Sequence, residues 1–162
     1  MQKALDLRSR LLAAQEYRFS MDAAADFGET VFRFSVDCER EENGVECMIA
    51  APESICGVKT FRSDDGASIL FDDVRVSLGS LANGNLAPLE SPWLLCRAME
   101  EAYISCTGRE ENCIRVTYLM GYGDQELQLD VWLDELTNMP RNAEFTYEGR
   151  SVLRAAVTKF EI

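Results

Sequence analysis

Three acidic pairs, Asp64-Asp65, Asp72-Asp73 and Asp134-Glu135, have the side chains and the proximity that general acid–base catalysis uses. Each falls where the neighbouring residues predict a turn. Aspartate is favoured in turns because its carboxylate accepts hydrogen bonds from nearby backbone N–H groups, so all three pairs read as solvated turn residues. The chain has no histidine. That removes Ser–His and Cys–His nucleophiles and every His-ligated metal site. Asp37, Glu39, Glu41 and Glu42 gather oxygens in one stretch, without the spacing of a calcium loop. Gly121-Tyr122-Gly123 precedes no predicted helix and is not a phosphate loop. The expectation is a protein with no catalytic residue, no metal and no cofactor.

Six cysteines, at 38, 47, 56, 96, 106 and 113, contain no Cys-x-x-Cys pair, which argues against a zinc knuckle. Cys56, Cys96 and Cys113 sit where a small apolar residue would serve, and buried cysteine behaves as one. A domain of this size needs no covalent staple, so the cysteines are read as free thiols. The alternative is a bridge, with Cys38–Cys47 the favoured pair, because an even count in a secreted chain points to disulfides. The expected hairpin register leaves those two diagonally offset.

Positioning such residues requires elements, and hydrophobic periodicity supplies them. Residues 2–14 predict a short helix. From Tyr17 the period becomes two, through Phe19, Met21, Ala23 and Ala25, which marks a half-buried strand. A turn at Gly28-Glu29 pairs Ala25 with Phe32, Ala23 with Phe34 and Met21 with Val36. Asn43-Gly44 is the strongest hairpin dipeptide present and joins Phe32–Cys38 to Val45–Ala51. Asp65-Gly66 joins a strand over Cys56–Arg62 to Ala67–Phe71, and Asp72-Asp73 sets Phe71 opposite Val74. Ser91 as cap and Pro92 in the first turn open a largely apolar helix over Trp93–Ser105. Strands resume at Cys113–Met120 and Leu127–Leu133. Glu148-Gly149 then joins Ala143–Tyr147 to a last strand and sets Phe145 opposite Val152. Strand links this short require antiparallel pairing throughout about ten strands.

With 162 residues and 47% hydrophobic content, the chain suits one domain, 1–162, with a substantial core. Its net charge of −12 repels phosphate, which argues against nucleic acid and against an anionic membrane surface. No apolar run is long enough to span a bilayer.

Trp132-Leu133-Asp134, then Pro140, then Tyr147-Glu148-Gly149 and a final strand ending near Phe160 occur in the order found in lipoprotein carriers. More weakly, Ala51–Ile55 and the apolar helix near Trp93 continue the pattern upstream. The chain resembles the LolA-like lipoprotein-carrier superfamily, closest to its Gram-positive, lipid-anchored extracytoplasmic members. The resemblance implies an α+β, mainly β fold: a curved antiparallel sheet, an incomplete barrel, with helices on its concave side. It also implies a hydrophobic ligand, a lipid or lipoprotein acyl chain, in an apolar cavity. Met1-Gln2-Lys3 reads as the start of a mature domain, behind which the resemblance implies a signal peptide and a lipid-modified cysteine. A monomer outside the cytoplasmic membrane is expected.

Curvature would bring the apolar faces of these elements together as the cavity lining. Phe32, Phe34 and Val36 come from one strand, and Val74 and Val76 from another. Trp93, Leu95 and Met99 come from the helix, and Val131 and Phe145 from the C-terminal block. An open apolar cavity of roughly 300–1,000 Å³ favours ligand carriage. A filled interior with an exposed apolar patch favours the alternative, a protein–protein interaction or sensor module.

Overall fold

The computed structural model describes residues 1–69, 82–84, 86–123 and 126–162. Helix α1 (Gln2–Ala14) precedes strands β1 (Tyr17–Asp26), β2 (Val31–Glu41), β3 (Gly44–Ala51), β4 (Lys59–Ser63) and β5 (Gly66–Ile69). Helix α2 (Ser91–Glu101) leads into β6 (Tyr103–Glu110), β7 (Cys113–Met120), β8 (Leu127–Asp134), β9 (Pro140–Tyr147) and β10 (Arg150–Glu161). The ten strands form one antiparallel sheet in the order β5-β4-β3-β2-β1-β10-β9-β8-β7-β6, open at β5 and β6. This is the expected fold class, an incomplete antiparallel barrel with helices on one side.

The sheet must curve strongly. Helix α2 packs against both β3 and β7, which are separated in the sheet by five strands. In a flat sheet that interval measures roughly 29 Å at about 4.8 Å per strand. An 11-residue helix is only about 16 Å long at 1.5 Å per residue. Only a sheet whose two arms bend toward each other brings both within its reach.

Alternation decides which side chains the curve encloses. Tyr17, Phe19, Met21, Ala23 and Ala25 are buried, with more exposed residues between them. The expected pairings Ala25–Phe32, Ala23–Phe34 and Met21–Val36 are all present. Two rows run across the concave face through successive cross-strand partners. One is Phe34, Ala23, Ala155, Ala143, Val131 and Val116. The next is Phe32, Ala25, Leu153, Phe145, Leu129 and Tyr118. Three alanines on adjacent strands β1, β10 and β9 make the middle of the first row the place where side chains project least.

Several local expectations are corrected. The helix placed over Trp93–Ser105 ends at Glu101, and Tyr103 begins β6. The run Tyr103-Ile-Ser-Cys-Thr107 is aromatic, β-branched and small, which suits an edge strand. Because β6 is largely exposed, its alternation carries little hydrophobic signal. Ser91 is the first helical residue instead of the cap, and its Oγ donates to the Pro88 carbonyl at 2.7 Å. Strand β4 begins at Lys59, after a 3₁₀ turn over Glu53–Ile55 and Gly57 at φ 87°.

The turn residues of the β2–β3 and β4–β5 hairpins are Glu42-Asn43 and Asp64-Asp65, each one position earlier than expected. Gly44 therefore lies in β3, where a Cβ would stand 2.5 Å from the Arg62 carbonyl oxygen and 2.6 Å from the Phe61 ring. The close approach of β4 is what requires glycine there, and it displaces the Asn-Gly turn. At the last hairpin Glu148 (φ 49°) and Gly149 (φ 73°) form the expected two-residue turn. A bulge at Val152 then moves Leu153 opposite Phe145. The expected Asp72-Asp73 turn lies outside the described residues.

Candidate functional site

The helices close the mouth of the curved sheet, and three ion pairs hold α2 to one rim. Arg40 of β2 donates from Nε to Glu100 Oε1 (2.9 Å) and from Nη2 to Oε2 (3.0 Å). Tyr17 of β1 donates its hydroxyl to Glu100 Oε1 at 2.8 Å, so both carboxylate oxygens are engaged. Arg62 of β4 pairs with Glu90, just before α2, at 3.1 Å. Arg97 of α2 pairs with Asp64 in the β4–β5 turn at 2.9 Å and also with Glu101. These three guanidinium groups surround the buried Trp93 ring, with centroid distances of 5.8 Å (Arg40), 5.9 Å (Arg62) and 5.3 Å (Arg97). A π face attracts cations, so the indole fixes the arginines as much as they fix it.

Helix α1 continues the closure to the other rim. Arg8 caps the C-terminus of α2, donating to the carbonyls of Met99 (2.9 Å), Ala98 (3.3 Å) and Ala102 (2.6 Å). The Met99 carbonyl lies in the last turn, where a helix leaves carbonyls without intrahelical partners, whereas the Ala98 carbonyl also accepts the Ala102 N–H at 3.2 Å. Lys3 donates to the Glu135 carbonyl at 2.7 Å, and Asn138 Nδ2 donates to the Lys3 carbonyl at 2.9 Å. The order across the mouth is β2–β4 rim, α2, α1, β8–β9 loop.

Beneath this bar lie most of the residues named as cavity lining. Phe34, Val36, Trp93, Leu95, Met99, Val131 and Phe145 are buried in one apolar cluster, and Phe32 packs at its margin, partly buried. Val74 and Val76 lie outside the described residues. Among the described residues the interior is occupied by the protein's own side chains. One polar group within it has no hydrogen-bond partner among the described residues, the hydroxyl of the fully buried Tyr118 on β7. Burial pushes its pKa up to about 12, with the Arg8 guanidinium 6.0 Å from the ring opposing the rise. Sequence reasoning missed Tyr118, Tyr17, Arg40 and Glu100. Tyr118 was legible through its alternation with Val116; the others depend on contacts between distant elements.

On the opposite, outer face an open groove of about 1120 Å³ crosses β2, β1, β10, β9 and β8. Its solvent-side lining is mixed, with Asp22, Arg33, Ser35, Trp132, Glu144 and Arg154. Among the described residues no cluster of three or more cysteine, aspartate or glutamate side chains is arranged to hold a metal. No described helix is long and apolar enough to cross a membrane.

No protein-family profile matches the sequence, and no curated protein does. A solved structure shares the fold, and others are weaker likenesses. An uncharacterized conserved protein from Thermus thermophilus is similar over 99% of this chain and 85% of its own, with a TM-score of 0.52 and 12% identity. A LolA superfamily protein from Nitrosomonas europaea gives a TM-score of 0.48 at 11% identity over 99% of this chain and 92% of its own. A putative outer membrane lipoprotein-sorting protein domain from Vibrio parahaemolyticus gives 0.48 at 10% identity over 99% and 90%.

Proposed function

We propose that this protein binds or carries a hydrophobic ligand, a lipid or a lipoprotein acyl chain, without catalysing a reaction. It does so outside the cytoplasmic membrane, held there by a lipid anchor that precedes the domain. The observation that carries this reading is the arrangement of α2. It lies across the mouth of a continuous apolar trough and is held at the rim by polar contacts. Two of the three ion pairs, Arg62–Glu90 and Arg97–Asp64, are partly exposed, so water replaces them at little cost when α2 lifts. The row of alanines leaves most depth at the centre of the trough, where a flexible chain would lie. The motif order from Trp132 to Phe160 supports the same reading by resemblance.

An acyl chain of about ten methylenes gains up to roughly 8 kcal/mol by burial, at about 0.8 per CH₂. Ordering the chain and displacing α2 oppose this, so affinity is expected in the micromolar range. Titration with a fluorescent fatty acid tests the reading. Wild type should bind. Arg97→Ala, which frees α2 from Asp64, should bind severalfold more tightly because the open form is more populated. Ala155→Trp, checked for folding by circular dichroism, should lose binding. If neither wild type nor Arg97→Ala binds, carriage is wrong. A second reading then leads: the filled interior and the broad mixed-charge outer groove suit a protein–protein interaction module.

A further inference from the structure

Cys38 on β2 and Cys47 on β3 are direct cross-strand partners, not diagonal neighbours. The shift of the hairpin turn to Glu42-Asn43 is what aligns them. Both side chains are buried, and their Sγ atoms are 2.8 Å apart. A disulfide requires Cβ atoms that face each other and a sulfur–sulfur distance of about 2.05 Å. Opposed residues of an antiparallel pair supply the first, with side chains on the same face. The second needs a closure of less than about 1 Å. Of the other cysteines, Cys56 and Cys106 are exposed and Cys113 half-buried, and Cys96 sits on α2.

We propose that Cys38 and Cys47 are a disulfide-forming pair, oxidised by a small-molecule or protein disulfide in the compartment where the chain folds. With glutathione disulfide as oxidant, the thiolate of one cysteine attacks a glutathione sulfur and releases one glutathione thiolate. The second cysteine, as its thiolate, attacks the mixed disulfide and releases the other. The two cysteines lose two electrons and two protons, and glutathione disulfide becomes two glutathione thiols. The bond would close the β2–β3 hairpin directly below α2, two residues from Arg40. Seated under the helix, the Cys38 thiol is pushed well up by burial and by its hydrogen bond to Cys47, and Cys96 is pushed up chiefly by burial. Exchange runs through thiolates, so the bond forms during folding, before α2 docks, and is protected afterwards.

The pairing is tested on the reduced full chain refolded in a glutathione redox buffer. Trypsin plus a glutamate-specific protease separates Cys38, Cys47 and Cys56 onto three peptides, because cleavage follows Glu39, Glu46 and Glu53. Non-reducing mass spectrometry should find Cys38 linked to Cys47 as the main cross-link, with the other four cysteines alkylatable. The oxidised protein should melt about 5–10 °C above the reduced one, a difference absent in Cys47→Ala and retained in Cys56→Ala. Absence of a cross-link, or a dominant link from Cys96 or any exposed cysteine, overturns the proposal. So does a melting difference that persists in Cys47→Ala.

Discussion

Arg40 holds Glu100 in a two-armed grip across the boundary between sheet and helix, with distances of 2.9 and 3.0 Å. Both side chains are largely removed from water, with relative exposures of 14% and 9%. A pair in this setting is strongly asymmetric. Truncating one member strands the other's charge, whereas replacing both together costs little. Glu100→Ala should therefore destabilise by about 3 kcal/mol and lower Tm by about 6–12 °C. Arg40→Met with Glu100→Leu, made in a Tyr17→Phe background so that no hydroxyl is left stranded, should restore most of the loss. Thermal unfolding of the singles and the double checks this, and additive losses in the double would contradict it.

Tyr118 presents the opposite case, a hydroxyl buried in the core with no partner among the described residues. Leaving such a group unsatisfied costs roughly 1–3 kcal/mol, so Tyr118→Phe should leave stability unchanged or raise it by about 1 kcal/mol. Chemical denaturation measures this directly. If the ligand-carrier reading holds, the same variant should bind a fatty-acid probe less well while folding at least as well, because the hydroxyl is a donor without a partner among the described residues. A clear loss of stability would mean that the hydroxyl has a partner in solution.

The acid limb of the stability curve should depend on Asp134. Its carboxylate accepts hydrogen bonds from the Thr137 backbone N–H first, then from the Thr137 hydroxyl and the Leu136 N–H, and pairs with Arg141. These contacts hold it below the usual carboxylate range. A folded-state value below the unfolded one means that the contribution is fully present above about pH 4. It is lost as pH falls through the folded value. Asp134→Asn should thus unfold more readily than wild type at pH 6, with the gap narrowing steadily below pH 4. A gap independent of pH would refute the assignment.

Gly44→Ala should cost about 1–3 kcal/mol, since the added methyl meets a backbone carbonyl that cannot rotate away. Equilibrium unfolding in urea reads it. Gly149, with open space around its Cβ position and φ 73°, should lose only about 1 kcal/mol on the same change.

The contrast between those two glycines marks how far the sequence could be read. Alternation from Tyr17 to Ala25 is clean because one face is buried along its whole length, and the Gly28-Glu29 register followed from it. Glu148-Gly149 was legible because the turn itself demands positive φ. Asn43-Gly44 looked like the same signal, yet Gly44 answers to Phe61 and Arg62, which are distant in sequence. The β6 edge was hidden because a strand with one free side and mostly exposed side chains has little periodicity to show. The burial of Phe34 and Phe145 followed from the same alternation, and that of Met99 from the apolar character of the helix. The ion pairs that seat α2 did not, because charged residues on separate elements carry no spacing that announces their partners.

The adjacency of β1 and β10 bears on how the chain acquires its shape. Each half of the sheet is a meander whose neighbours are nearest in sequence, so either arc can grow by successive hairpins. The seam between the halves joins Phe19 to Phe160 and Ala23 to Ala155, pairs that almost the whole polypeptide separates. Each doubling of a loop adds only about 0.6 kcal/mol to its closure, but from a two-residue turn to this span the sum is roughly 3–4 kcal/mol. Seam pairing is therefore the slow, late event, and until it occurs both arcs expose an unpaired strand at what will become the middle of the sheet. The aromatic cluster of Tyr17, Phe19 and Phe160, with centroids 5.4–6.3 Å apart, acts there as a zipper stop. It rewards the one alignment of the arcs that leaves no edge in the centre.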